Sequence, residues 1–367
     1  MRGGAGGAGG RGLAGALVVA GLAAGVGACW RVERQGEEFR GEDEPIPVPT
    51  AAAIARRLIL PGDVRRSIEF LSSDDRRGRA TPSPGLDRAT AWVGQRFQAV
   101  GLTPAGQRGG YVAYWSYEVS PDSVVFVPTV AGFVRGNDLT RAGEWVVLLA
   151  RLDHLGVGEP DETGDSIYNG ADANASGVAA LVEIAEALVA VPGGTARPVL
   201  FLALSGGESA GKGEEGGEGA RRYLADPTVD LADAVAAVTL RMVSRGRGDG
   251  VYVIGQEYST LGPLFRNAAA EHRALRLPVV PTARVDPDSV VAWFRDGDHF
   301  PFARAGIPSV LVTTGRHRDF RRPSDEAVRT DPDRAARVAR FVFLATLRLA
   351  NAELDPDWTE AGRRAIR

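Results

Sequence analysis

Between about residue 60 and residue 355, continuous apolar runs alternate with segments of helical periodicity. The apolar runs are typical of strands covered on both faces, and they occupy residues 144–152, 197–205, 234–243, 249–255 and 307–315. Apolar residues recur on one helical face in residues 87–100, 177–188 and 330–354. Gly101 ends the first of these helices, and Pro332 suits the first turn of the last. Strands alternating with helices predict one α/β domain around a mostly parallel sheet.

In such sheets, ligands bind beyond the carboxyl ends of the strands. The strand ends of interest are residues 151–156, 205–209, 241–245 and 315–325. One strand is followed by "GGESAGKG" (206–213), which nearly matches a phosphate-binding loop. However, Gly213 stands where the magnesium-binding hydroxyl belongs, and the following residues are acidic and glycine-rich. We interpret this segment as a flexible surface insertion and expect no nucleotide partner.

The first 60 residues lack this alternation. Residues 1–28 carry Arg2 and Arg11, then a short apolar run and small residues, as a secretory signal peptide does. "VGAC" (26–29) resembles a bacterial lipobox, in which Cys29 becomes the lipidated first residue of the mature protein. A plain signal peptide with an incidental cysteine is the alternative, since Cys29 is the only cysteine and forms no internal disulfide.

The domain organisation follows from these boundaries. Residues 29–60 are charged and then proline-rich, which is typical of a tether. We assign residues 61–355 to the α/β domain and residues 356–367 to a C-terminal tail. The expected location is that of an exported, membrane-anchored lipoprotein, on the periplasmic side or at the outer membrane of a bacterial cell.

The charge balance excludes one class of partner. The chain has 43 basic and 46 acidic residues and a net charge of −3, so we expect no nucleic acid as a partner. Lys212 is the only lysine, and arginine supplies every other basic residue. A single arginine at any one position therefore carries little information.

Taken together, the strand-end segments resemble one family. They are residues 150–156, 167–185, 200–209, 239–245, 298–315 and 317–327. Their order and spacing are similar to those of the bacterial two-zinc aminopeptidases and their glutamate-carboxypeptidase relatives, peptidase family M28, and residues 68–106 are similar to the family's lead-in. The resemblance covers about residues 60–350. It implies an α/β/α sandwich around a mixed, mostly parallel sheet of about eight strands.

The resemblance also implies a hydrolytic site. In that family two zinc ions share a bridging carboxylate, each ion takes a histidine and a carboxylate, and a glutamate acts as general base. The family positions fall here on Arg151 (first histidine), Ala173 (bridging aspartate), Gly207 (general base), Glu208 (glutamate ligand), Arg241 (aspartate ligand) and Arg321 (final histidine). Of these six positions, only Glu208 carries the residue type that the family has there.

These substitutions argue against a metal site. A unit charge 4 Å from another contributes about 4 kcal/mol at an effective dielectric near 20, so one guanidinium beside one zinc ion costs about 8 kcal/mol. We therefore predict a catalytically inactive pseudo-peptidase with no bound cofactor. The arginines would either pair with leftover acids such as Asp153 and Glu208, or bind a peptide carboxylate or a small anion at Arg151, Arg241 and Arg321.

Two alternatives stay open. The first is an active zinc metalloexopeptidase with a rebuilt ligand set, drawn from Asp172, His154, Glu208 and His317. The second is a lipid-tethered interaction module that uses its surface. Asp153, Asp172, Asn174, His154 and His317 are the candidate supporting residues, His299 is interpreted as structural, and His272 falls in no motif. We expect the six family positions to cluster, with no three His, Asp or Glu side chains converging there.

Overall fold

The computed structural model describes residues 48–120, 123–207, 217–246, 248–282 and 287–367. Its strands are β1 Thr103–Pro104, β2 Val112–Ser120, β3 Ser123–Val134, β4 Val146–Arg151, β5 Gly156–Val157, β6 Ile167–Tyr168, β7 Val199–Leu204, β8 Ala236–Leu240, β9 Tyr252–Ile254 and β10 Ser309–Thr313. Eight of them form one sheet in the order β1-β3-β7-β4-β8-β10-β9, with β2 paired to β3. β5 and β6 form a separate ribbon.

The register brings the carboxyl ends of the central strands to one level. β4 runs parallel to β7 and β8, and β8 runs parallel to β10. Arg151 lies opposite Leu204, and Leu240 lies opposite Val312. Antiparallel strands β3 and β9 flank this parallel centre. The mixed, mostly parallel sheet of about eight strands is therefore confirmed.

Helices cover both faces of the sheet. They are α1 Val48–Leu58, α2 Pro61–Leu71, α3 Pro84–Val100, α4 Ser176–Val189, α5 Glu218–Ala225, α6 Leu261–Glu271, α7 Pro287–Arg295, α8 Phe300–Arg304, α9 Pro332–Ala350 and α10 Glu360–Ala365. Alternate residues of β4 point to opposite faces, so Val146 and Leu148 join one apolar cluster with α1–α4, α6 and α9. Val147 and Leu149 join a second cluster with α5 and α8. Within the described ranges, no helix combines the length and apolar character needed to cross a bilayer.

The packed domain begins before residue 61. Ala51 and Ala55 of α1 and Ile59, just after the helix, are spaced four residues apart and are buried in the larger cluster. The interpretation of residues 29–60 as a tether is therefore wrong for residues 48–60. Residues 1–47, with the proposed signal peptide and Cys29, lie outside the described residues.

The last residues are also packed rather than forming a tail. Trp358 is buried in a third apolar cluster with Phe294 and Phe300. Its indole Nε1 donates a hydrogen bond of 2.8 Å to the Gly306 carbonyl, and the Thr359 amide donates one of 2.8 Å to the Tyr258 carbonyl. A large aromatic side chain at position 358 thus attaches residues 356–367 to the domain.

A buried arginine cross-links the loops beneath the carboxyl edge of the sheet. Arg79 is 1% exposed, and its guanidinium donates to backbone carbonyls only: those of Leu71, Leu152, Asn169 and Gly170. Burial lowers the pKa of Arg79 to about 10, against the raising effect of Asp153 and Asp325. The group is therefore still charged at neutral pH, and it joins the end of α2 to the loops after β4 and β6.

Glu183 makes the stability of the fold depend on pH. Its side chain is buried in α4, and neither carboxylate oxygen has a hydrogen-bond partner among the described residues. Burial raises the pKa of Glu183 to about 8. The folded chain therefore holds this proton at pH values where the unfolded chain has released it.

We expect the free energy of unfolding to fall as pH rises from about 5 to about 8, and to show no further Glu183 contribution above that. The Glu183→Gln variant should lack this part of the decline, as denaturant titrations across the pH range would measure. Glu186→Gln, three residues along the same helix and half-buried, is the matched control and should follow the wild type. Parallel curves for the wild type and Glu183→Gln would contradict the assignment.

Candidate functional site

The family positions that the structure describes lie at the carboxyl edge of the sheet. Arg151 ends β4, Gly207 lies three residues after β7, and Arg241 directly follows β8. Ala173 lies in the turn Ala171–Ala175 that leads into α4. Glu208 lies outside the described residues. The strand ends meet here because four parallel strands end at one level.

The turn around Ala173 is intact although it carries no carboxylate at its tip. Ala173 is buried, and its amide donates a 3.0 Å hydrogen bond to Asp325 Oδ2. The amide of Asp172 donates to the other oxygen of Asp325 at 3.2 Å. Asp325 therefore satisfies two backbone donors that would otherwise be buried unpaired. The backbone that could present a bridging ligand is preserved, and a methyl group occupies the position.

Asn174 joins the ends of two strands. Its Nδ2 donates to the Leu240 carbonyl at 2.9 Å and, with a longer contact of 3.4 Å, to the Arg151 carbonyl. Its Oδ1 accepts from the Met242 amide at 3.0 Å. Asn174 therefore has the structural supporting role that the sequence predicts for it.

Asp172 also has a structural role. One oxygen accepts hydrogen bonds from the Ser176 hydroxyl at 2.8 Å and from the Ser244 amide and hydroxyl at 2.9 and 2.8 Å. The other accepts from the Arg245 amide at 3.2 Å and lies 3.3 Å from His317 Nε2. The carboxylate is fully buried and its acceptor capacity is used by the loop after β8.

Asp172, Asp325 and His317 lie close together below the turn. His317 Nε2 lies 3.3 Å from Asp172 and 3.8 Å from Asp325, and Arg245 lies 3.6 Å from Asp325. Burial, with the charge of Asp172, raises the pKa of Asp325 to about 6. Burial acts on Asp172 in the same direction, but His317 and Ser244 outweigh it and lower the pKa of Asp172. Asp172 is therefore the more acidic carboxyl of the two, and Asp325 takes up a proton first as the pH falls through about 6.

Arg151 occupies the space around the family's general-base position. It is buried, and its NH2 donates a 2.8 Å hydrogen bond to Asp298, whose side chain is 2% exposed. A Cβ atom on Gly207 would lie 2.4 Å from Arg151 Nε and 2.6 Å from its Cζ. The guanidinium therefore lies directly against the Gly207 α-carbon, and a glutamate side chain cannot start from that point while Arg151 stays.

Arg241 has a separate carboxylate partner. Its guanidinium donates to the Asp296 carbonyl at 3.0 Å and to Asp296 Oδ2 at 3.1 Å. Arg316 donates to the same oxygen at 3.0 Å. The ring of Phe320 lies 5.8 Å from the Arg241 guanidinium and 5.1 Å from that of Arg316. Arg241 is thus held by an ion pair and an aromatic ring.

Arg321 is exposed, and its guanidinium lies 5.4 Å from the Phe320 ring centroid. Arg151 and Arg241, by contrast, are buried in ion pairs with two aspartates of one loop. Asp296 and Asp298 are carboxylate partners that the sequence analysis did not name, and Glu208, one of the expected partners, lies outside the described residues. The interpretation of Arg151, Arg241 and Arg321 as one anion-binding set is not supported by this arrangement.

The remaining candidate residues also have structural surroundings. Asp153 accepts from the Thr81 hydroxyl at 2.8 Å and the Gly206 amide at 2.9 Å. His154 is buried with its ring against Gly170, where an added Cβ would lie 2.5 Å from the ring. His299 is fully buried against Phe294, and burial with the Arg241 charge lowers its pKa to about 3, so the imidazole is neutral.

The described residues do not fit a pair of zinc ions. Ala173 and Gly207 supply no donor atom, and the guanidinium groups of Arg151 and Arg241 are ion-paired where donors are needed. Among the residues that the structure describes, no group of three His, Cys, Asp or Glu is arranged to hold a metal ion. At the described family positions the residue types therefore do not supply the two-zinc ligand set.

Sequence reasoning missed Asp296 and Asp298. Both lie in "RDGDHF" (295–300), where two acids separated by one glycine precede α8. Both aspartates lie in the turn between α7 and α8, where a pair of acids around a glycine was the available signal. Their partners are 55 and 147 residues away in sequence, so only the folded chain identifies them.

The geometry can be compared with known proteins. The structure is similar to the LapA aminopeptidase of Legionella pneumophila, with a TM-score of 0.62 and 13% identity over 86% of this chain and 78% of that one. It is similar to the aminopeptidase of Aneurinibacillus sp. strain AM-1, with a TM-score of 0.58 and 13% identity over 82% and 96% of the two chains. For Porphyromonas gingivalis glutaminyl cyclase the TM-score is 0.57, with 16% identity over 82% and 98%.

These identities establish a shared fold. Among curated proteins, no sequence matches the chain. The model of "Peptidase family M28" matches residues 130–346, which is 217 of the 367 residues. That match spans the sheet from β3 to β10, the ligand-position turn and most of α9. The chain therefore belongs to peptidase family M28.

Proposed function

We propose that this chain is a catalytically inactive member of its family, exported and anchored to a membrane by a lipid at Cys29. The observation that carries the inactive state is the buried Arg151–Asp298 ion pair, which lies against the bare α-carbon of Gly207. This ion pair occupies the space that the family's first histidine ligand and its general base would need.

The substitutions support one another physically. An arginine at position 151 needs a carboxylate, which Asp298 provides, and it needs space, which a glycine at position 207 provides. Restoring a side chain at 207 alone would push the guanidinium off Asp298 and leave a buried carboxylate unpaired. The cleft is therefore stable as an ion-paired core and unsuited to two dications.

An active zinc exopeptidase is the competing function, since similar structures include aminopeptidases. The rebuilt ligand set needs Asp172, His154, Glu208 and His317 to face one metal site. Asp172 instead accepts hydrogen bonds from Ser176, Ser244 and Arg245. These bonds would have to break before Asp172 could bind zinc, which favours the inactive state.

We expect the purified protein to retain no stoichiometric zinc after dialysis and to show no chelator-sensitive cleavage of aminoacyl p-nitroanilides. The matched variant restores the family residue types at five positions: Arg151→His, Ala173→Asp, Gly207→Glu, Arg241→Asp and Arg321→His. It should gain zinc binding, because it regains anionic and imidazole donors. Atomic absorption and zinc titration measure both proteins.

Stoichiometric zinc in the wild type, with peptide cleavage that a chelator abolishes, would overturn the inactive state. The wild-type measurement decides this whether or not the restored variant folds. Gly207→Glu alone serves as a control, since without a histidine at position 151 it should gain no zinc.

The ion pair itself makes a stability prediction. Arg151→Met should lower the free energy of unfolding by about 3–5 kcal/mol, because Asp298 is left buried without a counter-charge. Adding Asp298→Asn should recover part of this loss. Arg241→Met is the matched control: its partner Asp296 is half exposed and can be hydrated, so the loss should be smaller. Equal losses in the two arginine variants, measured by denaturant unfolding, would contradict this account.

The lipid anchor rests on Cys29 and the small residues before it. When the full-length precursor is expressed in a bacterium, the mature protein should fractionate with membranes and incorporate a palmitate analogue. Cys29→Ser should move it to the soluble fraction without changing its unfolding midpoint. A membrane-bound Cys29→Ser protein, or a soluble unlabelled wild type, would exclude lipidation at this residue.

A further inference from the structure

A second concave site lies beyond β8 and β10, beside the former metal cleft. It has a volume of about 380 Å³, and five arginines line it: Arg245, Arg316, Arg318, Arg329 and Arg334. Asp331 is the only carboxylate in its lining, and His317, Ser244 and Gly246 complete it. Such a volume is in the range of small-molecule sites.

Three of the five arginines already have carboxylate partners outside the lining. Arg245 donates to Asp319 at 2.5 Å, and Arg316 donates to Asp296 at 3.0 Å. Arg318 is mostly exposed and lies 3.7 Å from Asp319. These three arginines share their carboxylates: Asp319 serves both Arg245 and Arg318, and Asp296 also pairs with Arg241.

Arg334 is different because it is buried without a carboxylate. It is 6% exposed, and its guanidinium donates only to the carbonyls of Gly246 at 3.2 Å and Gly250 at 2.9 Å. Its Nε has no hydrogen-bond partner among the described residues. Burial lowers the pKa of Arg334, as expected for a cation whose lost hydration is incompletely replaced.

The charges of Asp172, Asp331 and Asp249 raise the pKa of Arg334 against the effect of burial, but none of these carboxylates makes an ion pair with its guanidinium among the described residues. Asp331 is the N-cap of α9, and its Oδ1 accepts from the Arg334 backbone amide at 2.9 Å. Arg329, on the same side of the pocket, is exposed and makes no ion pair within 4.0 Å among the described residues. Two guanidinium groups of the lining thus lack a carboxylate at contact distance.

We propose that this pocket binds a small anion with two or more negative charges on oxygen, of phosphate or polycarboxylate chemistry. Neither Arg329 nor Arg334 has a carboxylate at contact distance among the described residues, and the planar donor fork of arginine matches both carboxylate and phosphate oxygens. The first turn of the 19-residue helix α9 adds the positive end of its dipole. The pocket adjoins the former metal cleft through His317 and Ser244, which contact Asp172, but its lining includes none of the family ligand positions. The proposal therefore does not depend on the inactive state.

The test uses the purified full chain at constant ionic strength, with inorganic phosphate, pyrophosphate, citrate and acetate as probes. Isothermal titration should give saturable binding of the multivalent anions and none of acetate. Comparing phosphate and pyrophosphate with citrate then distinguishes phosphate from carboxylate chemistry. Arg329→Gln should weaken the preferred anion by about tenfold, since a charge-assisted hydrogen bond is lost from an exposed side chain that no contact in the fold requires.

Two matched variants make the result specific. Arg108→Gln removes an exposed arginine near the opposite edge of the sheet and should bind as the wild type does. Arg321→Gln removes the exposed arginine of the former cleft and should also bind normally. The proposal is overturned if no multivalent anion binds saturably, if Arg108→Gln weakens binding as much as Arg329→Gln, or if Arg321→Gln alone abolishes binding.

Discussion

The hydrogen bonds that Asp172 and Asn174 make to the strand ends are the interactions on which the carboxyl edge of the sheet depends. Asn174 joins β4 to β8, and Asp172 orders the loop that follows β8. Both side chains are buried, so their polar atoms need partners within the chain. Because these bonds do not involve the tip of the turn, the tip can change to alanine while the backbone keeps its path.

Because the supporting hydrogen bonds do not involve the family ligand positions, the residues of the cleft can differ from the family pattern while the fold stays the same. Arg151, Gly207 and Asp298 form one local unit, in which a long cation, a missing side chain and a buried anion fit together. Arg241 and Asp296 form a second such unit beside it. Asp296 and Asp298 both lie in the loop before α8. This short segment therefore supplies the negative charge for Arg151 and Arg241, which lie at the ends of the neighbouring strands β4 and β8.

The fold could be predicted from the sequence, because long apolar runs and helical periodicity are local signals. The run at 144–152 became β4, Val146–Arg151, and Pro332 begins α9. The helix at 48–58 was missed, since proline-rich flanks suggested a tether and its apolar face is short. The site was predicted in part. The replaced ligand positions lie within short sequence motifs and could be identified from them. The role of Asp298 and the arginine-lined pocket depend on contacts between segments that are distant in sequence.

Arg79 lies beneath this region with four backbone carbonyls around one guanidinium. A bound ion in the same place would have an occupancy set by its concentration and its dissociation constant. The guanidinium of Arg79 is covalently attached and does not dissociate, so the loops that it cross-links stay joined at any ion concentration in the solvent. Since no other side chain offers five fixed donors without an acceptor, a substitution at position 79 would lose part of this set of hydrogen bonds.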